Sequence, residues 1–165
     1  MKCIDIYTDG SYDKGRPEYT YGAFCCPAIN ISKVFKTSVA DATSMWNVGG
    51  ELLAAICAIT FATKLAEEFE KQNEQLTVNL YYDYEGVGKW AKGEWRAKKP
   101  MTQAYVRFIS SKSKEYPNLK INYIWVKGHN GTNGNELADE LAYAGLSGKE
   151  EASDMNELIN NILRR

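Results

Sequence analysis

Apolar and polar residues alternate from the start of the chain. Between 2 and 9, Ile4, Ile6 and Thr8 fall on one side and Cys3, Asp5, Tyr7 and Asp9 on the other, a period of two that predicts a strand. Asp9-Gly10-Ser11 supplies turn residues to end it. Residues 19–26 and 31–37 are aromatic or β-branched runs separated by Pro27-Ala28-Ile29-Asn30, which predicts a hairpin. From 51 to 71 the period lengthens: Leu52, Ile56, Ile59, Ala62, Ala66 and Phe69 recur at the spacing of an amphipathic helix. Residues 76–83 predict another strand, and 86–91 a short helix. Pro100 opens a further helix to about 115, carrying Tyr105, Phe108 and Ile109 on one face. Residues 119–126 alternate as a fifth strand, 127–131 form a loop, and 135–146 a helix ended by Gly145 or Gly148. The tail predicts a helix over 153–163 capped by Ser153.

The order βββαβααβα plus a tail helix predicts an α/β fold, a five-stranded mixed sheet flanked by helices. No internal repeat or linker interrupts it. The one boundary, at Gly148-Lys149-Glu150-Glu151, separates a domain of residues 1–148 from a tail of 149–165.

Composition narrows the class. The 165 residues are 44% hydrophobic and 25% charged, which argues against disorder. No apolar run approaches the ~18 residues of a membrane span, and Met1-Lys2-Cys3-Ile4-Asp5 carries no signal peptide. The expectation is a cytoplasmic monomer without a membrane partner. Cys3, Cys25, Cys26 and Cys57 form no CxxC pair and the chain has one histidine, so reduced thiols are expected rather than a zinc site. A net charge of −1 does not advertise a nucleic-acid binder. Residues 89–99 nevertheless gather Lys89, Lys92, Arg96, Lys98 and Lys99 against a single Glu94, with Trp90 and Trp95 between them. Local patches, not totals, bind phosphate.

Four carboxylates stand at informative places. Asp9 ends the first strand, Glu51 opens the long helix, Asp83 ends the fourth strand, and Asp139 lies on an early turn of the helix after the fifth. Strand ends and helix starts converge at one edge of an open sheet. Carboxylates gathered there repel unless cations sit between them, and hard oxygen ligands suit Mg²⁺ or Mn²⁺. Each residue taken singly also reads as a turn, a cap or a solvated charge; the combination is what points to a metal site.

That combination resembles a known family. Thr8-Asp9-Gly10-Ser11, Gly50-Glu51-Leu52-Leu53-Ala54-Ala55 and Tyr82-Asp83 are followed by Trp125-Val126-Lys127-Gly128-His129-Asn130-Gly131 and Asn135-Glu136-Leu137-Ala138-Asp139-Glu140-Leu141-Ala142. Together they resemble the signature blocks of type I ribonuclease H, in order, over about 2–146. The resemblance implies an endonuclease that hydrolyses the RNA strand of RNA/DNA hybrids by two-metal-ion catalysis, giving 5′-phosphate and 3′-hydroxyl ends. It implies Asp9, Glu51, Asp83 and Asp139 as catalytic ligands of two Mg²⁺ ions, with Mn²⁺ as a substitute, and His129 as a loop histidine that assists turnover. Asn47 matches an asparagine that contacts 2′-hydroxyls, though from the sequence alone it is equally a helix cap. Gly10, Ser11 and Asn135 are implied substrate contacts. Lys89, Trp90, Trp95, Arg96, Lys98 and Lys99 form a compact version of a basic, tryptophan-containing handle for the hybrid; the other reading is a solvated surface over core tryptophans. Tyr84-Glu85-Gly86 departs from the family, many members of which have a Ser-Gln pair after the aspartate.

Three rivals stand beside this reading. A transposase, integrase or resolvase of the same fold lacks a reason for the His129 loop and the 135–139 block. A non-catalytic nucleic-acid-binding module lacks a reason for all four carboxylates, and a plain structural domain leaves their convergence unexplained.

Overall fold

A computed structural model describes residues 2–127 and 133–165. The strands are β1 (Lys2–Ser11), β2 (Thr20–Cys26), β3 (Ile31–Thr37), β4 (Leu76–Tyr82), β5 (Leu119–Trp125) and β6 (Ser153–Asp154). The helices are α1 (Ala40–Thr43), α2 (Asn47–Glu70), α3 (Gly86–Ala91), α4 (Pro100–Glu115), α5 (Asn133–Ser147) and α6 (Asn156–Leu163). The sheet is mixed, in the order β5-β4-β1-β2-β3-β6. The β1–β2–β3 meander is antiparallel, while β4 joins β1, and β5 joins β4, in parallel.

Alternation along the strands sorts the layers. Ile4 and Ile6 of β1 and Leu76, Val78, Leu80 and Tyr82 of β4 are buried in one cluster with Leu52, Ile56 and Ile59 of α2, Tyr105 and Phe108 of α4, and Ile159 and Ile162 of α6. The other face is covered by α5, whose Ala142 packs on Ala23 and Val34. Small residues bring this helix close: a Cβ on Gly145 would lie 2.4 Å from a Val34 methyl.

The structure corrects several expectations from sequence. There are six strands, not five. Ser153 does not cap the tail helix; Ser153 and Asp154 extend the sheet beside Phe35 and Lys36. The Asp154 carboxylate accepts the Asn156 N–H to start α6 two residues later. Asn156 then ties the tail down, accepting from the Thr37 hydroxyl and the Ser38 N–H and donating to the Ser38 hydroxyl. Asp9-Gly10-Ser11 is not a turn either, because Asp9, Gly10 and Ser11 pair with Ala23, Gly22 and Tyr21. Finally, α2 starts at Asn47 rather than 51, so Glu51 sits on its second turn and Asn47 is its first residue, not its cap. This helix is long and apolar enough to cross a membrane, with a mean hydropathy of 1.5 over an 18-residue window, contrary to the sequence expectation. Of that window, 72% is buried within the fold, as befits a core helix.

Glycines explain why α2 starts early. Gly10 and Gly22 are cross-strand partners, and the first turns of α2 rest directly on their backbone. A Cβ on Gly10 would lie 2.4 Å from the Glu51 nitrogen, and one on Gly22 would lie 2.6 Å from the Gly50 carbonyl oxygen. Gly22→Ala therefore pushes α2 off the sheet. The expected cost is that of overpacking, about 1–3 kcal/mol, or a melting temperature lower by roughly 2–12 °C in a domain of this size. An unchanged melting temperature would show that α2 is free to ride outward.

Candidate active site

The register of the parallel strands builds the first half of the site. Tyr7 of β1 lies opposite Tyr81 of β4, and their rings stack with centroids 4.5 Å apart. Two residues further along each chain, hence on the same sheet face, stand Asp9 and Asp83. Asp9 is still paired within β1, whereas Asp83 follows the last residue of β4. The indole N–H of Trp125 donates to the Asp83 carbonyl at 2.9 Å and fixes that strand end.

Glu51 arrives from the other layer. The close seat of α2 brings its carboxylate to the Gly10 N–H, which donates to Glu51 Oε1 at 3.0 Å and to Asp9 Oδ1 at 2.9 Å. Asp9, Glu51 and Asp83 each place a carboxylate oxygen within 4.8 Å of the others. Asp9 and Glu51 are buried, and Glu51 Oε2 is buried without a hydrogen-bond partner among the described residues.

Asp139 lies on the second turn of α5, exposed, and its carboxyl helps to raise the pKa of Asp9. The helix that carries it is seated on Tyr7: a Cβ on Gly134 would lie 2.4 Å from that ring. Asn135, one turn before Asp139, is buried. His129 lies outside the described residues.

The carboxyls feel this crowding. Burial raises Asp9 to about 7; the charge of Asp83 and the bond to Asp139 add to the rise, while bonds from Glu51 and Gly10 oppose it. Burial likewise holds Glu51 well above the usual carboxylate range, reinforced by Asp9 and Asp83. A cation among these oxygens would remove the repulsion and give Glu51 Oε2 a partner. The donor set is all oxygen, so the residues present fit a hard divalent cation.

Comparison with known proteins agrees. The family model RNase H matches residues 1–147. The chain belongs to the ribonuclease H family. A ribonuclease H of Nitrosomonas eutropha is 32% identical over 154 residues, covering 88% of this chain and 91% of that protein. Another, of Aeromonas salmonicida, is 32% identical over 162 residues, covering 93% and 96%. Among solved structures, the N-terminal RNase H domain of Rv2228c from Mycobacterium tuberculosis superposes with a TM-score of 0.63 at 18% identity, over 90% of this chain and 99% of that one. LC11-RNase H1 in complex with an RNA/DNA hybrid superposes with a TM-score of 0.56 at 20% identity, over 87% and 99%. These likenesses show the fold.

The remaining residues expected at the site sort into two groups. Asn47 is exposed one turn before Glu51, and Gly10 and Ser11 are half-buried on β1 beside it. In the basic segment, Trp90 packs edge-on against Trp95 at 5.4 Å, and both meet Tyr84. Lys89 and Lys92 are paired with Glu94 at 3.4 and 3.3 Å. Sequence reasoning missed this pairing because Lys89 and Glu94 are not helical neighbours. After α3 the chain folds back through Gly93, at φ +77°, and the Glu94 and Trp95 amides return to the Lys89 carbonyl. Arg96, Lys98 and Lys99 are exposed and form no salt bridge among the described residues. Sequence reasoning also missed Trp125 as the clamp on Asp83, although its place at the end of β5, beside β4, is a signal.

The raised pKa of Asp9 has a sign that can be tested. Its folded value of about 7 exceeds its ordinary 3.8, so the folded protein binds more protons than the unfolded chain in between. This contribution to stability is complete below about pH 4 and is lost as pH rises through about 7. Without divalent cation, the melting temperature should therefore fall between about pH 5 and pH 8 more steeply in the parent than in Asp9→Asn. Mg²⁺ should flatten the difference. Equal slopes in parent and variant without metal would show that Asp9 does not carry the raised value.

Proposed function

We propose that this chain is an endonuclease that hydrolyses the RNA strand of RNA/DNA hybrids with divalent cations held by Asp9, Glu51, Asp83 and Asp139. The observation that carries the reading is the convergence of three carboxylates within 4.8 Å, one with an orphaned buried oxygen, in a member of the ribonuclease H family. The structural likeness to an RNase H1 in complex with an RNA/DNA hybrid supports the choice of substrate. When bound, two Mg²⁺ ions, or Mn²⁺ in their place, supply Lewis acidity that activates water and offsets charge on the phosphodiester, leaving 5′-phosphate and 3′-hydroxyl ends.

The protein's own residues do the rest. The Gly10 N–H aims the Asp9 and Glu51 carboxylates at one point. Asn47, exposed one turn before Glu51, reads a 2′-hydroxyl, the group that separates RNA from DNA. His129 assists turnover as a proton-transfer group in the loop before Asp139. Arg96, Lys98 and Lys99 take phosphates of the hybrid, while Lys89 and Lys92, already paired with Glu94, contribute less.

Labelled hybrid, single-stranded RNA, duplex RNA and duplex DNA, incubated with and without Mg²⁺, test the assignment. Cutting should be confined to the RNA strand of the hybrid and should need the metal; efficient cutting of duplex DNA would move the protein to the transposase and resolvase rival. Asp9→Asn or Asp83→Asn should lower hybrid cleavage by roughly 10³-fold or more, since a lost ligand removes several kcal/mol of charge stabilisation. Both should melt no lower than the parent, because each relieves repulsion in the metal-free protein.

The basic segment has its own expected signature. Arg96, Lys98 and Lys99 changed together to Ala should raise KM far more than they lower kcat. The slope of log affinity against log salt should flatten by roughly two to three units if each contacts a phosphate. Lys89→Ala with Lys92→Ala should change the slope less. An unchanged slope in the triple variant would exclude the segment as a substrate handle.

A further inference from the structure

Trp46, which no sequence motif singled out, occupies an unusual position. It immediately precedes α2, with φ +57° and ψ −130°. Residues with a Cβ adopt this region only at a cost, and such outliers persist where the surroundings impose them. Burial does not offset the cost, because the residue is 50% exposed. The surroundings do impose it. The Thr20 hydroxyl, itself buried, donates to the Trp46 carbonyl at 2.8 Å, and the Trp46 N–H donates to the Thr43 carbonyl at 3.0 Å. The Lys14 ammonium, from the loop between β1 and β2, lies 4.0 Å from the centre of the indole. The fold thus holds a large aromatic ring outward on a strained backbone, five residues before Glu51.

The ring borders a groove of 560 Å³. Trp46, Tyr84 and Trp90 line it together with Arg96, Lys98 and Lys99. Two lining residues are close in the chain to the carboxylates: Tyr84 follows Asp83, and Val48 lies three residues before Glu51. Aromatic rings beside cations that form no salt bridge among the described residues match a polymer that alternates apolar sugar faces with anionic phosphates. With lining residues this near the carboxylates in the chain, the groove offers a path to a strand engaged at them.

We propose that Trp46 is a substrate-contacting residue. Its indole packs against the sugar–phosphate backbone of the bound hybrid, with Lys14 holding the ring in place and adding a cation next to it. The inference rests on the hybrid-nuclease reading above. It concerns recognition, not chemistry, so its effect belongs in KM.

The strain supplies a control that a purely structural tryptophan would not satisfy. Trp46→Gly removes the ring and places at this position the residue most tolerant of its φ. Its melting temperature should equal or exceed that of the parent. Its KM for a labelled hybrid with Mg²⁺ should rise by about tenfold or more, the scale of a lost stacking contact. Its kcat should stay within about twofold of the parent. No charge is lost, so the salt slope of affinity should be unchanged, whereas Lys14→Ala should reduce it by up to about one unit. Trp46→Phe should restore most of the KM. A Trp46→Gly enzyme with parental KM overturns the role of Trp46 and leaves the nuclease reading standing. A Trp46→Phe enzyme as impaired as Trp46→Gly also overturns it. A parent that neither binds nor cleaves the hybrid sinks both.

Discussion

The approach of α2 to the sheet at Gly10 and Gly22 decides whether there is a site at all. Asp9 belongs to the sheet and Glu51 to the helical layer above the opposite face. Side chains rooted in different layers meet only where the layers touch backbone to backbone. Two facing glycines allow that, and the reward is one N–H shared by two carboxylates. Any side chain at either position would lift the helix, and with it Glu51, away from the Gly10 amide. The stability of the helix seat and the geometry of the carboxylates are therefore one property of the fold.

Against that constraint, the electrostatics run uphill. Burial raises both Asp9 and Glu51, and Asp83 adds repulsion. A protein selected only for stability would not leave Glu51 Oε2 buried without a partner. The arrangement makes sense if a cation supplies the missing interaction, and protons stand in for it when metal is scarce. Neighbouring packing keeps the cluster from relaxing apart: the Tyr7–Tyr81 stack fixes the register that sets Asp9 beside Asp83, and Tyr7 seats the start of α5 near the same point.

Much of this was legible in the sequence, and the exceptions share a cause. The alternation in 2–9 and 119–126 and the helical spacing after 51 report burial on one face, and those elements stand close to where the pattern put them. The errors fall where glycine or a short polar segment serves a contact distant in sequence. The helical spacing begins at 51, yet residues 47–50 form the first turn of α2, because the glycines fit it to neighbouring backbone. Asp9-Gly10-Ser11 reads as a turn, yet it stays in β1 because the facing partner is Gly22. Ser153 reads as a cap, yet two residues of edge strand precede α6, held by the Asn156 contacts to Thr37 and Ser38. The carboxylates were found because their residue types at strand ends carry chemistry; the Gly10 amide that organises them carries no such signature.

Net charge is a poor guide to a surface like this one. Of five cations in the basic segment, Glu94 engages Lys89 and Lys92 across the turn at Gly93. The pairs are exposed and individually weak. Arg96, Lys98 and Lys99 are left lining the groove that Trp46 faces. A cation spent on a neighbouring carboxylate releases few counterions when a phosphate arrives, whereas an unpaired one exchanges its counterions for phosphate directly. A net charge of −1 is thus compatible with a strongly directional field. Negative charge is concentrated where cations would be held, and positive charge where the backbone of a nucleic acid would lie. Trp46 lines the same groove as Arg96, Lys98 and Lys99, and packing against its uncharged ring would not weaken as salt rises.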